Sequence, residues 1–416
     1  MLKKLKPKSE FSRNVLTLMT GSTIAQAIPI AISPILTRIY TPEDFGVFAL
    51  YISITSILSV IVTGQYELAI MLPKKDHDAI NILILSLILS SCISFFLLCI
   101  IFLFNPEITR LLGNKEISNW LYLMPISIFL TGIYNSLNYW QTRKKNYKLL
   151  AITNVYKGLT VSTSNIAFGI FKYGSSGFIL GSFFGQLVGV YHLLKKINIK
   201  LVYKQINKLK IIALSKRYRK FPKITVPHAL FNSISTNLPI LVITYYFSSK
   251  ETGYFSFASK IVMLPISLIS NAYYQVFFES FSKEKNKEFF FKQKFKQVNT
   301  IFIPIFLILW FILPDLFSFI FGEEWKISGV YTQILLPLFY LKFISNLFTT
   351  TTYIYYEKQF ENFFLGILIT IIIFFSLLIG AYFHDIVLGL LLMSFGNGVI
   401  IIYKIYRSFV FVKNQG

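Results

Sequence analysis

With 416 residues, 54% of them hydrophobic and only 14% charged, and a mean hydropathy of +0.60, the chain carries too much apolar surface for a soluble domain. Its net charge of +23 would suggest nucleic acid, yet the basic residues fall between apolar runs, where a bilayer accounts for them better. Its four histidines are scattered and it has no phosphate-cradling glycine loop, so no metal, cofactor or catalytic residue is expected.

Apolar runs of about 20 residues, enough to cross hydrocarbon as a helix, occur at 14–37, 46–66, 79–104, 120–141, 148–171, 175–195, 224–247, 253–277, 297–320, 329–355, 362–383 and 386–407. They predict an all-α polytopic membrane protein with about 12 transmembrane helices. The first run follows Lys3, Lys4, Lys6 and Lys8 and contains Ala25-Gln26-Ala27, the outline of a cleavable signal. It continues unbroken to Leu36, however, and is expected to remain as a helix.

Between the first two runs lies the hinge Thr37-Arg38-Ile39-Tyr40-Thr41-Pro42-Glu43-Asp44-Phe45-Gly46, and 245–255 repeats its logic. Aligning Gly46 with Gly253, 207 positions later, pairs Tyr40 with Phe247, Thr41 with Ser248, Asp44 with Glu251 and Phe48 with Phe255. The chain reads as a duplicated unit. Further along, Asp76-His77-Asp78 has the DxD form of a metal-dependent sugar-nucleotide site, but it opens the third run, where acids suit a helix N-terminus. Cys92 and Cys99 are expected to be small core hydrophobes, and 160–164 with the glycine-rich 173–185 to provide close helix packing.

The stretch 195–223 holds eleven basic residues and no acid. It divides the chain into a first six-helix bundle (1–195), a basic cytoplasmic linker (196–223) and a second six-helix bundle (224–416). Because six is even, both bundles enter the membrane in the same sense, as parallel repeats. The amphipathic face of 201–212 would rest on anionic headgroups or simply be solvated. Of the 41 Lys and Arg residues, 32 fall on the side of the termini and linker, and six (Arg38, Arg110, Lys115, Lys172, Lys250, Lys326) on the other. Both termini are therefore expected in the cytoplasm.

The remaining three, Lys157, Lys260 and Lys342, lie inside runs, where a charge costs about 2.5–3.5 kcal/mol on insertion scales. The eighteen acidic residues fall in loops, termini or run ends, Glu67 and Asp315 being the nearest, so no carboxylate lattice is expected to meet these lysines. The consistent reading is a water-filled cationic cavity for an anionic ligand. Helical spacing adds polar stripes: Ser256, Lys260, Ser267 and Asn271; Lys342, Asn346 and Thr349; Thr153, Lys157 and Ser164. On the first run the stripe is Ser22, Gln26, Ser33 and Thr37, broken by Pro29 and Pro34, which would free carbonyls toward the cavity. His228, Asn232 and Ser235 match it before Pro239. Arg38 is either an interface anchor or a residue of the cavity mouth. The plainer alternative for each lysine is a side chain that snorkels to the membrane surface.

Arg13-Asn14 and the hinge through Gly46, with Phe221-Pro222, Pro239, Gly253-Tyr254, Pro265 and Ala272-Tyr273-Tyr274-Gln275-Val276-Phe277, resemble the Wzx-type polysaccharide (O-antigen) repeat-unit flippases of the multidrug/oligosaccharidyl-lipid/polysaccharide exporter superfamily. The resemblance covers essentially the whole chain. It implies a MATE-like fold and transfer of undecaprenyl-pyrophosphate-linked oligosaccharide across the bacterial inner membrane, for lipopolysaccharide O-antigen or capsule, by alternating access and without covalent chemistry. It further implies a lipid tail passing between spans 1 and 8, and as partners the bilayer, a polymerase and a chain-length regulator, with no nucleic acid. The interior lacks the carboxylates of a proton-coupled pump, which leaves ion coupling open. Alternatives are a drug or teichoic-acid-precursor exporter of the same superfamily, or a membrane polysaccharide polymerase. The first would favour interior acids if its cargo were cationic. The second would need an outward loop larger than 105–119 or 315–329, and a pure scaffold would have no use for buried lysines.

Overall fold

The computed structural model describes residues 10–415, and every regular element among them is helical. Lys3, Lys4, Lys6 and Lys8, part of the expected charge asymmetry, lie outside the described residues. Chain contacts divide the protein into two compact units that meet at Asn237 and Leu238. The first holds α1 (Glu10–Ala31), α2 (Ser33–Ile39), α3 (Pro42–Ser59), α4 (Tyr66–Ala69), α5 (Asp76–Leu112), α6 (Ser118–Leu121), α7 (Met124–Arg143), α8 (Tyr147–Ile170), α9 (Ser175–Leu194), α10 (Ile199–Lys204) and α11 (Lys208–Arg217). The dividing point falls inside α12 (Val226–Tyr246), and the second unit continues with α13 (Ser249–Lys283), α14 (Lys287–Phe321), α15 (Lys326–Tyr355), α16 (Gln359–Tyr382) and α17 (Ile386–Gln415).

Among the described residues, ten helical segments are long and apolar enough to cross a membrane. The two expected spans outside that group, 46–66 and 148–171, are α3 and α8. At 18 residues, α3 is about 27 Å long, and it opens on Pro42-Glu43-Asp44. The hydropathy of α8 is lowered by Asn154, Lys157 and Asn165, and the helix packs on both α1 and α9, so it need not be apolar all round.

The two units share part of a packing scheme. In the first, α3 packs on α7 and α9, α7 on α5 and α9, and α9 on α8; in the second, α13 packs on α15, α15 on α14 and α17, and α17 on α16. The repeated hinge has one chemical purpose in both. Thr41 accepts from the Asp44 amide at 3.3 Å while Asp44 accepts from the Thr41 amide at 2.9 Å, a capping box that starts α3. Ser248 caps α13 in the same way, accepting from the Glu251 amide at 3.1 Å, but Glu251 turns to the Tyr331 hydroxyl instead of closing the box. Tyr40 lies buried within the first hinge: its hydroxyl donates to the Asn165 carbonyl at 2.6 Å and its ring stacks on Phe178 with centroids 4.0 Å apart.

The glycine-rich stretch does pack closely. Gly177, Gly181, Gly185 and Gly189 recur every fourth residue along α9, and a Cβ there would lie 2.3 Å from the Tyr40 hydroxyl, 2.0 Å from Asn165 Oδ1, 2.3 Å from Val161 Cγ2 and 3.1 Å from the Tyr134 ring, respectively. Small residues on one stripe let helices approach where no hydrophobic effect drives them together.

Two local expectations need correction. Cys92 and Cys99 are exposed on α5, on a face shared with Phe95, Phe96, Phe102 and Leu103; in a bilayer an apolar residue has no need of the core. The basic stretch 196–223 is not merely solvated either. Leu214 of α11 is buried, with Ile211 beside it, in a cluster shared with α4, α5 and α7. Fully buried Asn81 clamps the segment, donating to the Gln205 carbonyl at 3.0 Å and accepting from the Asn207 amide at 2.8 Å, while the Tyr66 hydroxyl donates to the Ser215 carbonyl at 2.9 Å. Asp78 meets Lys210 at 3.5 Å and Asp76 holds Arg143 at 2.9 Å together with Lys144, which gives both acids of the DxD triplet cationic partners. Removing the clamp with Asn81→Ala loses its two hydrogen bonds to the segment, about 1–3 kcal/mol in total. Tryptic cleavage within 196–223 is expected to accelerate about tenfold or more while the helix content measured by circular dichroism stays unchanged.

Candidate functional site

Lys157 emerges half-buried from the middle of α8. Its ammonium lies over the Tyr134 ring of α7, 4.6 Å from the centroid, a cation–π contact that substitutes in part for lost hydration. Gly189 of α9 leaves the room: a Cβ there would come 3.1 Å from the Tyr134 ring and 3.7 Å from Lys157 Cδ. The Tyr134 hydroxyl donates to Asn154 Oδ1 at 2.7 Å, and Asn154 Nδ2 donates to Ser22 of α1 at 3.4 Å. One turn from Ser22, half-buried Gln26 sits beside a close approach of α1 and α8, the Ala25 carbonyl being 3.0 Å from a Cβ at Gly158. Thr153 departs from the expected stripe, bonding to the Leu149 carbonyl at 2.7 Å and to His192 Nδ1 at 2.6 Å. Ser33 and Thr37 also leave theirs. Both are buried and donate to the Ile30 and Pro34 carbonyls, at 2.6 and 3.2 Å, so these acceptors at the proline kink are occupied by hydroxyls. Arg38 is exposed at the end of α2, and Asn232 is exposed on α12 with Nδ2 3.4 Å from His228 Nδ1.

In the second unit Ser256 and Ser267 of α13 donate to the Gly253 and Leu264 carbonyls at 3.1 and 2.8 Å. That leaves Lys260 and Asn271, both exposed, as the outward polar groups of the stripe. On α15, Lys342 is half-buried and Asn346 exposed, while Thr349 is fully buried and bonded to Ser345 at 2.8 Å, so it does not share their face. Among the described residues, no carboxylate lies within ion-pair distance of Lys157, Lys260 or Lys342. Two acids of the second unit are engaged elsewhere: Glu361 takes Arg407 through two bonds of 2.8 and 3.1 Å and the Tyr353 hydroxyl at 3.3 Å, and Asp315 pairs with Lys326 at 3.3 Å.

Tyr134, Asn154 and His192 escaped the sequence reading. Asn154 is adjacent to Thr153 and one turn before Lys157, a signal that could have added it. The tyrosine and histidine reach the site from other helices and leave no trace in the spacing of α8.

Ten apolar helices of membrane-spanning length among the described residues make this a multi-pass membrane protein, and the solved structures it matches share its fold. Lipid II flippase MurJ in an inward closed conformation superposes with a TM-score of 0.76 at 14% identity, over 95% of this chain and 89% of that one. The inward-facing form of a multidrug-resistance MATE transporter of the MOP superfamily gives 0.61 at 13% identity, over 97% and 96%. The family model for polysaccharide biosynthesis proteins matches residues 35–329, and the chain belongs to that family. The succinoglycan biosynthesis transport protein ExoT of Rhizobium meliloti is 22% identical over 327 residues, 76% of this chain; the match spans 63% of that relative's length. These relatives are transport proteins and flippases rather than enzymes.

Proposed function

We propose that this protein is a flippase that carries undecaprenyl-pyrophosphate-linked oligosaccharide repeat units from the cytoplasmic to the outer leaflet of a bacterial inner membrane, by alternating access, for O-antigen or capsular polysaccharide. The observation that carries the reading is the set of three lysines set into apolar helices without a carboxylate partner among the described residues. A charge kept in such a place at a cost of about 2.5–3.5 kcal/mol on insertion scales needs an anion, and a pyrophosphate supplies one. The first half offers it Lys157, with Asn154, Gln26 and Ser22 close by on α8 and α1; the second offers Lys260 and Asn271 on α13 and Lys342 and Asn346 on α15. Asn232 and Arg38 extend the polar surface of the first half. Both termini lie in the cytoplasm in this reading, and a polymerase and chain-length regulator take over the product. The family match and the transport relative support export of a polysaccharide precursor over efflux of a drug.

Deleting the gene is expected to abolish the surface polysaccharide while single lipid-linked repeat units accumulate facing the cytoplasm, measured by accessibility of the sugar to a lectin in oriented vesicles. Single units already facing outward would instead identify a polymerase, and unchanged polysaccharide another cargo.

A further inference from the structure

After the short turn that joins them, α13 and α14 make little contact along their length, and a cleft of about 440 Å³ opens between them, floored by buried Phe343 of α15. It has two unlike ends. Ile269 of α13 and Ile301 and Phe302 of α14 line the apolar end; Ser280, Lys294 and Gln297 line the polar one, nearer the turn. Lys294, Gln297 and Ile301 follow at i, i+3 and i+7 on a single stripe of α14, so the cleft passes from cation to hydrocarbon within about 10 Å of helix.

The polar end is also electropositive. From Glu279 to Lys296 there are six lysines and three glutamates. Lys283 and Lys292 are paired with Glu279 and Glu288, at 2.5 and 2.6 Å. Lys294 has no carboxylate in ion-pair range among the described residues: its ammonium touches Gln297 Oε1 at 3.2 Å and the Phe290 ring 5.9 Å from the centroid. A cation at the mouth of an apolar trough between helices is what an anionic amphiphile recognises.

We propose that this cleft binds a diacyl phospholipid with an anionic headgroup, its phosphate at Lys294 and one acyl chain along Ile269, Ile301 and Phe302. The size of the cleft suits a single acyl chain better than a long polyisoprenoid carrier. The inner-leaflet origin of the lipid rests on the orientation proposed above, which puts the turn between α13 and α14 in the cytoplasm; binding itself does not.

The test uses the purified full-length protein in detergent, titrated with dioleoyl-phosphatidylglycerol, dioleoyl-phosphatidylcholine or undecaprenyl phosphate and read by native mass spectrometry. Phosphatidylglycerol is expected to bind as a discrete adduct and phosphatidylcholine much more weakly. Lys294→Gln should lower phosphatidylglycerol affinity about fivefold, Ile301→Trp should block the chain by filling the cleft, and Lys292→Gln should change nothing. Equal retention of both phospholipids, variants that bind as the parent does, or an undecaprenyl phosphate adduct that displaces phosphatidylglycerol and is lost in both variants would overturn the proposal. Orientation is read separately from an Asn286→Cys in a Cys92→Ser, Cys99→Ser background. Protection from an impermeant maleimide in intact cells supports the inner-leaflet source, and labelling from outside removes it.

Discussion

Replacing Lys157, Lys260 and Lys342 together by glutamine is expected to cut polysaccharide export at least a hundredfold while the protein inserts and accumulates as before. The sign of the stability effect follows from their surroundings. None of the three is ion-paired among the described residues, so no carboxylate is orphaned when the charge goes, and glutamine is cheaper than lysine in hydrocarbon. Under the proposed function the effect on transport has the opposite sign: a hydrogen bond to a charged group contributes about 1.5–3 kcal/mol, so a cargo anion that loses two of them loses a factor of a hundred or more. Lys157→Gln alone also loses the contact with Tyr134, whereas Lys260→Gln breaks no ion pair or cation–π contact among the described residues; comparing the two separates positioning from charge. Arginine at all three positions should restore part of the export, since charge is what the cargo reads. Surface polysaccharide measured against membrane-inserted protein checks these outcomes, and normal export by a correctly inserted triple variant would leave the lysines as snorkelling side chains.

How much of this was legible in the sequence varies with the physics involved. Helix positions were readable because a bilayer demands long apolar runs, and the hinge was readable because capping requires a hydroxyl or carboxylate at fixed offsets, which Thr41 with Asp44 and Ser248 with Glu251 both supply. The polar stripes were over-read. Serine and threonine in a helix bond to carbonyls three or four residues back, so Ser33, Thr37, Ser256, Ser267 and Thr349 satisfy themselves locally and add polarity to the pattern without adding it to a site. Cys92 and Cys99 were misplaced because hydrophobicity stops distinguishing inside from outside in lipid. The partners of Lys157 and Glu361 were illegible for a different reason: Tyr134 arrives from another helix and Arg407 from 46 residues away, and spacing within one helix carries no information about either.

A second large effect belongs to the glycine stripe of α9. Gly177→Ala is expected to destabilise the protein by about 1–3 kcal/mol, the usual range for overpacking, although alanine is the better helix former. Its Cβ would stand 2.3 Å from the Tyr40 hydroxyl and 3.0 Å from Phe168 Cβ. Tyr40 has little freedom to retreat, since its hydroxyl is held by the Asn165 carbonyl at 2.6 Å and its ring by Phe178. Gly181→Ala attacks the same anchor from the other side, 2.0 Å from Asn165 Oδ1 and 3.4 Å from the Asn165 amide nitrogen. The two substitutions therefore share partners and should fall short of additivity when combined. Gly366→Ala on α16 provides the opposite case: nothing lies within 4 Å of its Cβ, so the same change should be neutral or stabilise by about 0.5–1 kcal/mol through helix propensity alone. Thermal unfolding of the three variants in detergent discriminates the two mechanisms. If Gly177→Ala were as benign as Gly366→Ala, Tyr40 would be a movable side chain rather than the pin of the hinge, and the capping box of α3 would have to hold that turn unaided.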